Sequence, residues 1–220
     1  MTTTTDTKTR ILDAAEQLFA DNGFTATSLR TITTEAGVNL AAVNYHFGSK
    51  EALLAEVLGR RFRPINQERL ELLDAAEAEV REGAPELDPV IRAFLVPAFR
   101  AMLVSGEKGA KFMQLIGRTH SETNEKIQGM FFKLFEGVIQ RFTEAFHGAL
   151  PELSADDVKL RMFFVIGAMA HTLALSQKVP WLSEKVHHQS AGGEVLENLI
   201  QFAAEGMRAP VPASEQGRLQ

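Results

Sequence analysis

Cysteine is absent from all 220 residues, which closes off a disulfide frame and any thiolate metal site. An apolar leader is missing too: MTTTTDTKTR opens the chain, and no run of 18 or more apolar residues follows it. The expectation is therefore a cytoplasmic protein with no membrane span. Catalytic signatures are also lacking. There is no Gly-rich phosphate loop, no G-x-S-x-G and no H-E-x-x-H, and the carboxylates scatter over helix positions that face solvent. An enzyme is not expected, and neither a cofactor nor a metal is implied. His187-His188 with Glu184 has loose metal spacing, but a solvated loop accounts for it better. Strand patterns and internal repeats do not occur, so the fold class is all-α.

Hydrophobic residues make up 45% of the chain, enough for a substantial core. The net charge of −5 would count against a nucleic-acid binder if it were evenly spread. It is not. Residues 1–63 carry seven cations (Lys8, Arg10, Arg30, Lys50, Arg60, Arg61, Arg63) and seven acids (Asp6, Asp13, Glu16, Asp21, Glu35, Glu51, Glu56), so the deficit belongs wholly to the remainder. A neutral head on an acidic body implies few phosphate contacts and a head turned toward DNA.

The head is organised around SLRTITTEAGVNLAAVNYHFGSK, Ser28 to Lys50. Ser28 is placed to N-cap a first short helix whose apolar face is Leu29, Ile32 and Ala36. Gly37 stops that helix, and Asn39 can cap the next almost at once, which gives the tight turn of a helix-turn-helix. The second helix, about Leu40 to Phe47, turns Val43 and Phe47 inward and leaves Asn44, Tyr45 and His46 facing elsewhere. Leu40, Ala41 and Ala42 are small or apolar and permit close approach to thymine methyls in a major groove. Ser49 caps a further helix, whose first residue, Lys50, would lie beside a phosphate.

These residues, with ILDAAEQLFADNGFTATSLRTI before them and EALL after, closely resemble the DNA-binding domain of the TetR family of transcriptional repressors. The shared order is Gly23-Phe24, Ser28, Ala36-Gly37-Val38, Tyr45-His46-Phe47 and Lys50. The resemblance implies that Thr27 and Ser28 meet phosphate, that Asn39, Leu40, Ala41, Ala42 and Asn44 enter the groove, and that Tyr45, His46 and Lys50 clamp the backbone. Thr31 and Thr33 stand where relatives often carry an acid and an alanine. The C-terminal part is more loosely similar to the fatty-acid-responsive, PsrA-type members.

Along the rest of the chain, residues 1–50 are expected to form the DNA-binding domain, with a helix from 49 to about 63 connecting it to the body. Pro64 should break or kink that helix, and a second, amphipathic one is expected over 65–82. Residues 64–210 form the expected effector-binding and dimerisation domain, and 211–220 a tail. A helix from Asp88-Pro89 should kink at Pro97 and break at Ser105 to Gly109, before another carrying Phe112 and Ile116. Ile127 to Phe146 reads as one continuous amphipathic helix. Met162 to Leu175 is apolar on nearly every side, and the last helix has a wide apolar arc, so these two are expected to form a homodimer interface as a four-helix bundle.

Fifteen Phe against one Tyr and one Trp would line an apolar tunnel as well as a core, and the family resemblance implies a cavity for a small hydrophobic effector. Expected walls are Phe99, Met102, Phe112, Phe135, Phe164 and Met169. Gln114, Arg118, His120 and His171 are the polar candidates for a head group, with Arg118 favoured because a carboxylate is its natural bidentate partner. A fatty acid or acyl thioester leads, and a hydrophobic drug or aromatic compound is the alternative. The reading is a dimeric repressor on a palindromic double-stranded operator. A helical protein-interaction module that does not bind DNA is the competing class.

Overall fold

The computed structural model describes residues 4–80, 83–120, 125–176, 178–187 and 191–211, without the side chains of some helical positions among them. These residues form ten α-helices and no strand. The small end holds α1 (Thr4–Asn22), α2 (Leu29–Ala36), α3 (Leu40–Phe47) and the start of α4 (Lys50–Ala78). The body comprises the rest of α4, then α5 (Leu87–His120), α6 (Glu125–Lys133), α7 (Glu136–Ala149), α8 (Ala155–Leu175), α9 (Pro180–His187) and α10 (Ala191–Arg208).

In the head, Ile11, Ala15 and Phe19 of α1 pack on Phe24, on Ile32 and Ala36 of α2, on Val43 and Phe47 of α3, and on Leu53, Leu54, Val57 and Leu58 of α4. Phe24, from the α1–α2 connection, plugs this core. The same apolar cluster continues into Phe112 and Leu115 of α5 and Ile127 of α6, so the head core merges with the body. The second core gathers Phe94 and Phe99 of α5, Phe142 and Phe146 of α7, Met162 and Met169 of α8, and Ile200 and Met207 of α10.

Several element boundaries differ from the sequence expectation, each for a tertiary reason. α4 runs through Pro64 as one helix, although proline cannot donate to the Arg60 carbonyl one turn earlier. It is held from both sides: Arg60 and Arg61 grip Glu16 of α1, and the α4 segment beyond Pro64 packs along α5. α5 likewise passes Ser105 to Gly109 without a break, because a long helix packed against α1, α4, α8 and α10 outweighs the weak helix propensity of a few residues. The expected continuous helix over 127–146 is instead α6 and α7, separated at Leu134-Phe135. Asn66 of α4 donates to the Leu134 carbonyl at 3.1 Å and so satisfies a group that the interruption leaves free. Pro180 opens α9 where a loop was expected, a position at which its missing N–H is harmless.

α8 is long and apolar enough to cross a bilayer by length and composition, and 22% of that window is buried. Val158, Met162, Val165, Met169 and Leu173 face the core. On the other side Leu160, Phe163 and Phe164 are more than half exposed, as is Phe202 of α10. Among the described residues nothing covers this apolar face.

Candidate nucleic-acid interface

The geometry begins with caps. Ser28 accepts from the Thr31 N–H at 3.0 Å and Asn39 from the Ala42 N–H at 2.9 Å, so each short helix starts on a satisfied donor. Between them Gly37 sits at φ +61°, a left-handed conformation that closes α2. A Cβ there would also lie 2.7 Å from Nη2 of Arg10, the guanidinium that binds the last carbonyls of α2 at Ala36 and Gly37. The left-handed backbone is what calls for glycine, whereas the Arg10 guanidinium, at the end of a flexible side chain, could move aside. Val43 and Phe47 then anchor α3 with its opposite side outward.

That outward side presents Leu40, Ala41, Asn44 and Tyr45, with Ala42 and His46 half-buried beside them. Tyr45 is 82% exposed, and its ring meets the His46 ring edge-on at 5.1 Å. A large aromatic with a hydroxyl, held in water on a rigid helix, is suited to lie against a sugar-phosphate chain. Ser28 and Asn39 are exposed at the two helix starts.

Two of the residues expected at phosphate make bonds within the chain. Thr27 is 2% exposed, and its hydroxyl donates to the Leu18 and Gly23 carbonyls at 3.1 and 2.7 Å, tying the α1–α2 connection together. The Lys50 ammonium donates to the Phe24 and Thr27 carbonyls, both at 2.8 Å, and lies 4.2 Å from the centre of the Phe24 ring. Both side chains fasten the α1–α2 connection, Thr27 from a buried position and Lys50 from a half-buried one at the start of α4. Sequence periodicity could not reveal this, since their partners are backbone carbonyls.

The remaining head cations are mostly engaged as well. Arg60 and Arg61 converge on Glu16, which is 7% exposed, with Arg61 donating at 3.0 and 2.8 Å. Arg63 and Lys8 pair with Glu56, whose carboxyl is held below the usual range chiefly by the Arg63 hydrogen bond, against the opposing effect of burial. Arg30, exposed on α2, is the one cation of residues 1–63 that has no such partner among the described residues. Its placement was not singled out from sequence.

The expected effector walls do not form one group. Phe99 and Met169 lie in the body core, while Phe112 packs on Phe62 at 5.0 Å and Phe135 meets the same ring at 4.6 Å, at the junction of head and body. Phe164 is 60% exposed and Arg118, Gln114 and His171 face outward, so none of these four lines an interior site in one protomer. The side chains of Met102, His120 and His187, and residue His188, lie outside the described residues. Among the described residues of the body, Arg69 on α4 is the buried cation, 3% exposed. Its signal was legible: Asn66 and Arg69 occupy the core-facing i and i+3 positions that lead to Leu73 at i+7.

Residues 11–57 match the family model for bacterial regulatory proteins of the tetR family, and residues 92–206 match the tetracyclin repressor-like C-terminal domain. The chain belongs to the TetR family of transcriptional regulators. Among curated relatives, the dual transcriptional regulator CecR of Shigella flexneri is 36% identical over 104 residues, covering 44% of this chain and 42% of that protein. The chain spans less than half the length of the curated relatives it matches. Among solved structures, Bacillus subtilis FadR in complex with stearoyl-CoA superposes with a TM-score of 0.67 at 14% identity, over 90% of this chain and 98% of that one. A SmeT–triclosan complex gives a TM-score of 0.64 at 23% identity, over 94% and 96%. At these identities the likeness is one of fold: a TetR helix-turn-helix followed by a larger helical domain.

Proposed function

We propose that this TetR-family chain is a cytoplasmic, homodimeric repressor that binds a palindromic operator and is released by a small hydrophobic effector. The observation that carries the reading is the α3 surface, where Leu40, Ala41, Asn44 and Tyr45 stand in water on a capped, anchored helix. Ser28, Asn39, Ala42 and His46 flank them, and Arg30 adds a phosphate contact; Thr27 and Lys50 support this surface from within. Residues 1–50 act as the reading head, α4 as the connection, and residues 64–210 as the effector-binding and dimerisation part.

Dimerisation runs through α8 and α10. Leu160, Phe163, Phe164 and Phe202 make a face that is too apolar to leave in water and is the expected centre of a four-helix bundle with a second copy. Two reading helices on successive major grooves must then sit roughly 34–36 Å apart. An effector that binds the wrongly spaced dimer ~100-fold better than the DNA-bound one supplies about 2.7 kcal/mol, enough to empty many operators. Phe62, in contact with both Phe112 and Phe135, links the body to α4 along this route.

Support for an acyl effector comes from the fold shared with FadR, which was solved with stearoyl-CoA; the SmeT–triclosan complex supports the drug-responsive alternative. Fragments selected from genomic DNA, and retarded by the pure protein in a salt-dependent way, test the reading. Failure to retard any selected fragment would leave the helical protein-interaction module in its place.

A further inference from the structure

Among the described residues, the cations of the body other than Arg69 that carry ion pairs do so at the surface. Arg92 meets Glu197, Arg100 meets Glu68, Arg141 meets Glu77 and Asp74, and Arg208 meets Asp88. Arg69 is different. It sits inside, between α4, α5 and α8, with no carboxylate in ion-pair range among the described residues. Its Nε donates to the Phe94 carbonyl at 2.8 Å, its Nη1 to Asn66 Oδ1 at 3.1 Å, and its Nη2 only to the Met169 thioether sulfur at 3.7 Å. The guanidinium carbon lies 4.4 Å from the centre of the Phe94 ring. Burial pulls the guanidinium pKa down to about 10, which still leaves it charged at neutral pH.

An unneutralised buried charge is expensive, and apolar residues of similar volume commonly replace such groups without loss of stability. A structural role explains part of the arrangement. Pro97 has no N–H for the Ala93 carbonyl one turn earlier in α5, and the bond from Arg69 to the neighbouring Phe94 carbonyl braces the helix beside that gap. That role needs Nε alone. It leaves unexplained a full positive charge and a terminal nitrogen turned toward a weak sulfur acceptor.

We infer that Arg69 anchors the carboxylate of an apolar acid bound inside the body, at the position now taken by the Met169 thioether. The inference rests on the effector reading above and narrows it. The planar fork of a guanidinium matches a carboxylate through two parallel hydrogen bonds. Methionine, unbranched and with several rotatable bonds, is the side chain best able to swing aside. Phe94, Phe99, Phe142 and Val165 belong to the same core, so a guest that reaches Arg69 has to be hydrocarbon along its length. A buried cation repels cationic drugs, and its depth leaves no room for the nucleotide of an acyl thioester at the charged end. The free acid is the member of these classes that fits. Because Arg69 is on α4, the carboxylate would pull directly on the helix that carries the reading head.

Calorimetric titration of the full-length chain with dodecanoate, dodecanol and dodecyltrimethylammonium tests this without DNA. The wild type should bind dodecanoate at least about tenfold more tightly than the alcohol, and the ammonium most weakly. Arg69→Met should lose that margin for the acid while keeping its affinity for the alcohol, and Arg69→Lys should fall between. Equal dodecanoate affinity in wild type and Arg69→Met overturns the inference, as does a wild type that prefers either other head group or binds no dodecanoate. Should Arg69→Met fail to fold by circular dichroism, the head-group order in the wild type and the Arg69→Lys value decide. A protein that binds the acid through Arg69 and retards no DNA would sink the repressor reading alone.

Discussion

Replacing Phe163 by alanine should split the dimer proposed above while leaving each protomer folded. Phe163 is 70% exposed in one protomer, so its truncation removes little from the protomer core. A phenylalanine offers about 200 Å² of surface, so ~140 Å² leaves water when a second copy covers it, worth ~3.5 kcal/mol at 25 cal/mol per Å². Two-fold symmetry counts the loss twice, ~7 kcal/mol per dimer, as an upper bound because packing is imperfect and ordering side chains opposes association. If only ~2 kcal/mol of that survives, the dissociation constant still rises ~30-fold. Sedimentation equilibrium over a wide concentration range, with melting curves as the folding control, measures both parts. A variant that dimerises within about twofold of wild type, while folded, would show that α8 does not face the second copy.

Tyr45→Ala should weaken operator binding by about 1–3 kcal/mol in a gel-retardation titration, with unchanged melting temperature and dimerisation, because the ring is in water and not in the core. Arg30→Ala should lower affinity evenly across operator sequences and reduce the salt slope by about 1, as the loss of one phosphate contact requires. Acidification should loosen α7 from α4. The Glu77 carboxyl is held below 4.5 first by its hydrogen bond to Arg141, against burial, so its contribution is present above about pH 4.5 and fades as pH falls through the lower folded value. In melts compared from pH 6 to pH 3, Glu77→Gln should be the less stable protein at the upper end and converge with wild type at the lower. The gap should be small and should shrink with added salt, since the pair is near the surface.

What the amino-acid order determined by itself was whatever neighbours along the chain decide. Ser28, Gly37, Asn39 and Ser49 specify caps and a turn through bonds made within a few residues, and the structure has each of them. The periodic set Ile11, Leu12, Ala15, Phe19 and the pair Val43, Phe47 likewise announce buried faces. All-α architecture and the reading head follow from these short-range rules. The unusually apolar α8 was visible for the same reason: hydrophobic excess around a helix is a property of the helix alone.

Tertiary structure decided what depends on distant partners. Whether Pro64 ends a helix turns on what grips α4 from α1 and α5, and whether 127–146 is one helix or two turns on Asn66 being at hand for the Leu134 carbonyl. Lys50 and Thr27 could have faced phosphate by their residue types, and only the arrival of the Phe24, Thr27, Leu18 and Gly23 carbonyls turned them inward. Between two arginines of equal chemistry, folding left Arg118 in water and enclosed Arg69, because burial is set by the packing of whole helices. A side chain's chemistry is written in its type, but whether water or another helix meets it is settled only when the chain closes on itself.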